Sequence, residues 1–131
     1  MPIEVVLSDG PLPRERPECP PQGAGAVLCF EGLVRPLEDG RPIQALDYEV
    51  YEPMAQDMLK SLGQELAHRH GLLGMCIEHS RGRVGVGQCS FRLQVASAHR
   101  QQALAALAEF INRMKQDVPI WKTPAWRVDS A

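Results

Sequence analysis

The segment Cys89–Val95 alternates without a break: Cys89, Phe91, Leu93 and Val95 are apolar, while Ser90, Arg92 and Gln94 are polar. A period of two puts successive side chains on opposite faces of an extended chain, so this stretch predicts a half-buried strand. Immediately afterwards the period lengthens. Leu104, Leu107, Phe110 or Ile111, and Met114 recur at helical spacing, which predicts an amphipathic helix beginning at Ser97 or Ala98. Val118-Pro119 should stop it, because the residue before a proline avoids helical angles.

The same switch occurs earlier. From Ile43 to Tyr51, Leu46, Tyr48 and Val50 share one face of a strand, and Asp47, Glu49 and Tyr51 share the other. Pro53 then opens a helix, at a position where a missing N–H does no harm. Met54, Met58, Leu62 and Leu66 form its stripe, widened by Leu59, and Gly71 after His70 supplies a left-handed end. Ile3–Leu7 and Gly74–Glu78 read as short strands, and Gly25–Glu31 as a buried one. Residues 11–24 are proline-rich, with the charged run Arg14-Glu15-Arg16, and read as a loop or a poorly ordered excursion. Pro36, Asp39-Gly40 and Pro42 supply turns between strands. Residues 120–131 form a short tail holding both tryptophans. The order β, β-β, α, β-β, α, with short turns between strands, implies an α+β fold: a mixed or antiparallel sheet with two main helices.

With 131 residues the chain is the length of one domain, 1–131, and can bury a core without disulfides or metal. Its net charge of −2 argues against a nucleic-acid or membrane-surface partner, so any anion site must be a local cluster of cations. No apolar run approaches the ~20 residues of a membrane span. No export signal is read at the start. Cys19, Cys29, Cys76 and Cys89 form no CxxC pair, and four reduced thiols in a cytoplasmic protein is the expected state.

Four local groups could carry chemistry. Phe30-Glu31-Gly32-Leu33-Val34-Arg35 ends a strand in a glycine turn with an arginine beyond, and a guanidinium there can grip a phosphate or carboxylate through two parallel hydrogen bonds. Ser97-Ala98-His99-Arg100 places two basic residues at a helix start, where backbone N–H groups favour an anion. Lys115 and the segment Pro119-Ile120-Trp121-Lys122 add two amines, and a lysine crowded by other cations can act as acid, base or nucleophile. Each group also has a plain structural reading, as a solvated cation, a helix cap or a complement to a helix dipole. His68, His70, His79 and Cys76 do not share a face, so no metal site is expected.

Taken in order, these segments resemble the large, catalytic subunit of molybdopterin synthases. Gly25-Ala26-Val27 leading to Phe30-x-Gly32-x-Val34-Arg35 is similar to that family's opening motif. Leu46-Asp47-Tyr48-Glu49-Val50-Tyr51-x-x-Met54-Ala55 is similar to its central one. Ser97–Arg100, Lys115 and Pro119–Lys122 follow in its order. The resemblance covers about Gly25 to Lys122. It implies an α/β-hammerhead-like fold and a sulfurtransferase without a cofactor. The sulfur donor would be the C-terminal thiocarboxylate of a small ubiquitin-like carrier ending in Gly-Gly. The acceptor would be cyclic pyranopterin monophosphate, which becomes the dithiolene of the molybdenum cofactor. The resemblance assigns Lys115 and Lys122 to catalysis, and Leu33, Val34, Arg35, His99, Arg100 and Thr123, with both lysines, to substrate binding. It further implies a homodimer that joins two carriers as a heterotetramer.

The chain departs from the family at His79-Ser80-Arg81-Gly82, where the arginine is displaced by one residue. After Lys122, Thr123-Pro124 stands where a basic residue and a glutamate are usual. These departures leave open a second function, a diverged homologue that binds pterin or carrier without transferring sulfur. One geometric expectation follows from the helix itself. His99 and Lys115 are sixteen residues apart, about 24 Å along an axis rising ~1.5 Å per residue. One small substrate cannot easily touch both ends, so the resemblance implies that two copies share each site, the alternative being a shorter or bent helix that lets a single chain close it.

Overall fold

The computed structural model describes residues 3–18 and 22–128. Met1, Cys19 and the last residues of the tail lie outside them. Nine elements follow in the order β1 (Ile3–Asp9), β2 (Ala26–Leu33), β3 (Leu37–Glu38), β4 (Arg41–Val50), α1 (Met54–His70), β5 (Gly74–Gly85), β6 (Cys89–Ser97), α2 (Arg100–Asp117) and β7 (Ile120–Trp126). The strands form one mixed sheet in the order β2-β6-β5-β4-β3, with β1 beside β5 and β7 beside β4. Only the β1–β5 pair is parallel. This is the expected α+β class.

The long strand β5 organises the sheet. Its first half lies between β6 and β1, and its second half, Gly82–Gly85, pairs with Tyr48–Ala45 of β4. The expected short strand at Gly74–Glu78 is therefore only its beginning. The tail is not irregular either. Ile120–Trp126 adds to β4 as an edge strand, with Lys122 opposite Tyr48. An edge tolerates Pro124, whose missing donor interrupts no ladder on the outer side.

Both helices pack on one face of the sheet. Leu59 and Leu66 of α1, and Ala103, Ala106 and Phe110 of α2, meet Met75, Ile77, Leu93 and Val95, all fully buried. Each buried leucine or phenylalanine contributes about 1.5–3 kcal/mol. The expected helix stripes are rotated. Met54 and Leu104 are more than half exposed, whereas Ala55, Ala103 and Ala106 are buried. Leu59, Leu62, Leu66, Phe110 and Met114 of the expected stripes stay buried, and the alanines beside them let the helices approach the sheet closely. The ends behave as expected: Gly71 adopts φ 65° and its N–H caps the Ala67 carbonyl, and Val118 closes α2. The start of α2 does not. Ser97 remains in β6, its hydroxyl donating to the His99 carbonyl at 2.5 Å, and His99 is the N-cap.

Two strands differ from expectation in burial. β2 is an edge, so Val27, Phe30 and Leu33 are over a third exposed. β6 is buried on both faces. Its polar face is covered by part of the proline-rich segment, which packs as a strap. The Leu12 N–H donates to the Cys89 carbonyl, Arg92 Nη2 donates to the Pro13 carbonyl at 2.5 Å, and Gln94 Nε2 donates to the Pro17 carbonyl at 3.0 Å. Buried Arg92 also pairs with Glu78 at 2.9 Å and with Glu31 at 3.1 Å. No helix among the described residues is long and apolar enough to cross a membrane.

Candidate active site

Where the last turn of α2 overhangs the sheet, a cavity of about 690 Å³ opens. Its apolar walls are Phe30 and Leu33 from β2, Phe91 from β6, Ile111 and Met114 from α2, and Trp121 from β7. Three cationic side chains reach it from three separate segments: Arg35 beyond β2, Lys115 in the last turn of α2, and Lys122 on β7. The fold fixes each one. The Val34 N–H donates to the Gln88 carbonyl, and the Gly87 N–H donates back to the Val34 carbonyl, which pins the residue before Arg35 to the β5–β6 turn. Lys115 projects at the carbonyl end of its helix, where the macrodipole favours a cation. Lys122 is set by the register of β7 on β4.

Facing the cations is a neutral polar group that the sequence reading did not single out. The Tyr48 hydroxyl lies 3.0 Å from Ser90 Oγ. The Tyr48 ring stands edge-on to His79, with centroids 5.2 Å apart, and Phe91 flanks the same imidazole. His79 is 5% exposed. Its Nδ1 is 2.7 Å from the Ser80 carbonyl oxygen, which can only accept, so Nδ1 carries the proton and Nε2 is an acceptor. Burial pushes the imidazole below its ordinary pKa, outweighing the Ser80 hydrogen bond that favours the charged ring. Tyr48 was legible only as sharing a strand face with Leu46 and Val50. His79 was weighed as a metal ligand, and the missing signal was the length of β5 that carries it to the cavity.

Two carboxylates also line the cavity. Glu31 is engaged by Arg92 and Arg16, and Glu38 lies 3.3 Å from Lys122 Nζ.

Of the residues expected to form a site, the fold brings together Leu33, Arg35, Lys115 and Lys122. Val34 is buried in a second small core with Ile43, Leu46 and Val84, so its side chain supports the cavity from behind. Thr123 is exposed opposite Asp47 and does not line the cavity. His99 and Arg100 are exposed at the far end of α2, away from the cavity of their own chain. The Gln102 side chain accepts from the His99 N–H at 3.1 Å.

The displaced arginine, Arg81, points away and pairs with Asp9 and Glu52. Ser80 is fully buried, and its hydroxyl has no hydrogen-bond partner among the described residues. Cys29 and Cys89 are free thiols. Among the described residues no three His, Cys, Asp or Glu side chains converge as a metal would require.

The sequence matches the family described as MoaE protein over residues 14–117. It is 39% identical over 103 residues to the molybdopterin synthase catalytic subunit of Bacillus subtilis, covering 79% of this chain and 66% of that protein. The chain thus spans just under two thirds of that relative's length. The crystal structure of molybdopterin synthase from Staphylococcus aureus superposes with a TM-score of 0.84 at 32% identity, over 96% of this chain and 92% of that one. A chain of the complex of subunits 1 and 2 of molybdopterin-converting factor from Helicobacter pylori shares the fold. Its TM-score is 0.70 at 23% identity, covering 98% of this chain and 92% of that one.

Proposed function

The chain belongs to the MoaE family, and from that membership we propose that it is the catalytic subunit of a molybdopterin synthase. It transfers sulfur from the thiocarboxylate of a small ubiquitin-like carrier to cyclic pyranopterin monophosphate, forming the dithiolene. The observation that carries this reading is the convergence of Arg35, Lys115 and Lys122 on one apolar-walled cavity. Both reactants are anionic, and preorganised cations offset their repulsion where charge develops. The thiocarboxylate is itself a good nucleophile, so the site needs no activated serine or cysteine. Lys115 and Lys122 act at the reacting carbons and the thiocarboxylate, and Arg35 binds the phosphate end. Leu33 and Phe30 shape the wall. The carrier's Gly-Gly tail enters extended and is held chiefly through its backbone.

His99 and Arg100 join this site from a second copy. Their place at the far end of α2 supports a homodimer with two composite sites, each also receiving a carrier, as a heterotetramer. Residues 1–131 act as one domain, in the cytoplasm, without a cofactor. The test is reconstitution with a thiocarboxylated carrier and the pterin substrate, read by mass. Product carrying two newly incorporated sulfurs supports the proposal; pterin binding with no sulfur incorporated refutes it.

A further inference from the structure

Glu38 is an unusual neighbour for a lysine meant to receive anions. It sits on the two-residue strand β3, just before a tight turn in which Asp39 and Gly40 both adopt positive φ, 51° and 75°. Across the ladder its partner is Arg41, the obvious cation to neutralise it. Arg41 is engaged elsewhere, its guanidinium stacked 4.2 Å above the Trp126 ring. The Glu38 carboxylate reaches instead into the cavity, where it is 3.3 Å from Lys122 Nζ. Its side chain is 18% exposed and that of Lys122 is 50% exposed, so the carboxylate is the more enclosed partner. An enclosed carboxylate without a cation would be costly.

The hairpin that presents Glu38 is also tied down. The Ile43 N–H donates to the Pro36 carbonyl, and the Arg127 N–H beyond β7 donates to the Pro42 carbonyl. Hairpin and lysine strand are thereby fastened together, and the contact between Glu38 and Lys122 is built into the fold. The other cavity carboxylate, Glu31, has Arg92 and Arg16, so Glu38 is the one aimed at a proposed catalytic amine.

We propose that Glu38 is the internal counter-ion of Lys122. It occupies the amine in the empty site and is displaced by the carboxylate-like end of the incoming tail. The inference rests on the reading of Lys122 as a group that meets the carrier tail. Glu38 touches no reacting atom in this account. It is a positioning residue that keeps Lys122 aimed into the cavity and sets how strongly an anion must bind to take its place. The consequence is selectivity: a charged tail end can exchange with Glu38, whereas a neutral one cannot.

The experiment uses the full chain and two synthetic hexapeptides ending in Gly-Gly, one with a free carboxylate and one amidated. Binding is read from the fluorescence of Trp121 in the cavity wall, with unchanged circular dichroism confirming that each variant is folded. Glu38→Gln removes the competitor and should tighten the acid peptide about two- to five-fold, the range of a partly exposed ion pair, while the amide is unchanged. Lys122→Ala should weaken the acid peptide, and adding Glu38→Gln to it should then change nothing. Equal affinities for wild type and Glu38→Gln, or an equal change for both peptides, would overturn the counter-ion role. A selective gain that persists without Lys122 would overturn the pairing. A Lys122→Ala protein that binds the acid peptide like wild type would instead overturn the role given to Lys122.

Discussion

Replacing Arg92 by alanine should destabilise the fold far more than a typical loss of one ion pair. Arg92 is fully buried, and its guanidinium bonds Glu78, Glu31 and the Pro13 carbonyl. The three partners do not suffer equally. Glu31 keeps Arg16 at 3.4 Å and is about a third exposed, so water and Arg16 compensate it. The Pro13 carbonyl loses one donor, worth about 1 kcal/mol. Glu78 is 5% exposed and is left as an uncompensated charge in the sheet face.

Stranding one member of a buried pair costs about 3–5 kcal/mol, a large part of the ~5–15 kcal/mol that holds a domain together. With a urea dependence of about 2 kcal/mol per molar, the midpoint should fall by roughly 1.5–2.5 M. Equilibrium unfolding in urea measures it. Glu78→Gln combined with Arg92→Ala should recover part of the loss, because the stranded charge is gone. Trypsin should also cut faster after Arg14 once the strap loses its anchor. A loss under about 1 kcal/mol, the worth of an exposed pair, would refute the reasoning, as would a double variant no more stable than Arg92→Ala.

Two further outcomes follow from the site. The folded-state pKa of His79 lies below its unfolded value, so the unfolded chain takes up the proton first as pH falls. Stability should therefore drop on acidification below about pH 6.5, by at most ~1.4 kcal/mol per pH unit from this group. His79→Phe should remove that part of the slope in unfolding experiments at pH 7.5 and 5.5; an identical slope would contradict a buried neutral imidazole. For the shared site, His99→Ala and Lys115→Ala proteins, each inactive alone, should regain activity when mixed under subunit exchange, since a mixed dimer has one intact site of two. No recovery despite exchange confirmed by mass would mean that each chain works alone.

The sequence revealed what local chemistry controls. Gly71 and Val118-Pro119 ended their helices, and the alternation of β4 put Tyr48 on the same face as Leu46. Arg35, Lys115 and Lys122 were found as separate local signals, and their convergence required the fold. What stayed hidden depended on partners distant in the chain. Arg92 looked like a solvated strand residue because nothing local shows that a strap of prolines covers it. β7 was read only as a short tail, and pairing with β4, distant in the chain, is what makes it an edge strand. β5 runs on past Glu78 into a stretch rich in glycine and arginine with no apolar alternation, so the strand was ended one residue short of His79 and its place in the cavity was missed. Glu38 lay unremarked among residues read as turns, and its contact with Lys122 spans eighty-four positions of the chain.

The central claim is that sulfur transfer takes place where Arg35, Lys115 and Lys122 meet. The most direct test is single-turnover transfer from a thiocarboxylated carrier by the Lys122→Ala protein, with carrier binding measured in parallel. The account predicts a folded protein that still binds carrier and transfers sulfur at least ~10²-fold more slowly, the usual loss when a positioned proton-handling group is removed. Lys122→Arg should not restore the rate, because guanidinium keeps its proton at working pH. A Lys122→Ala protein that transfers sulfur at the wild-type rate would contradict the account.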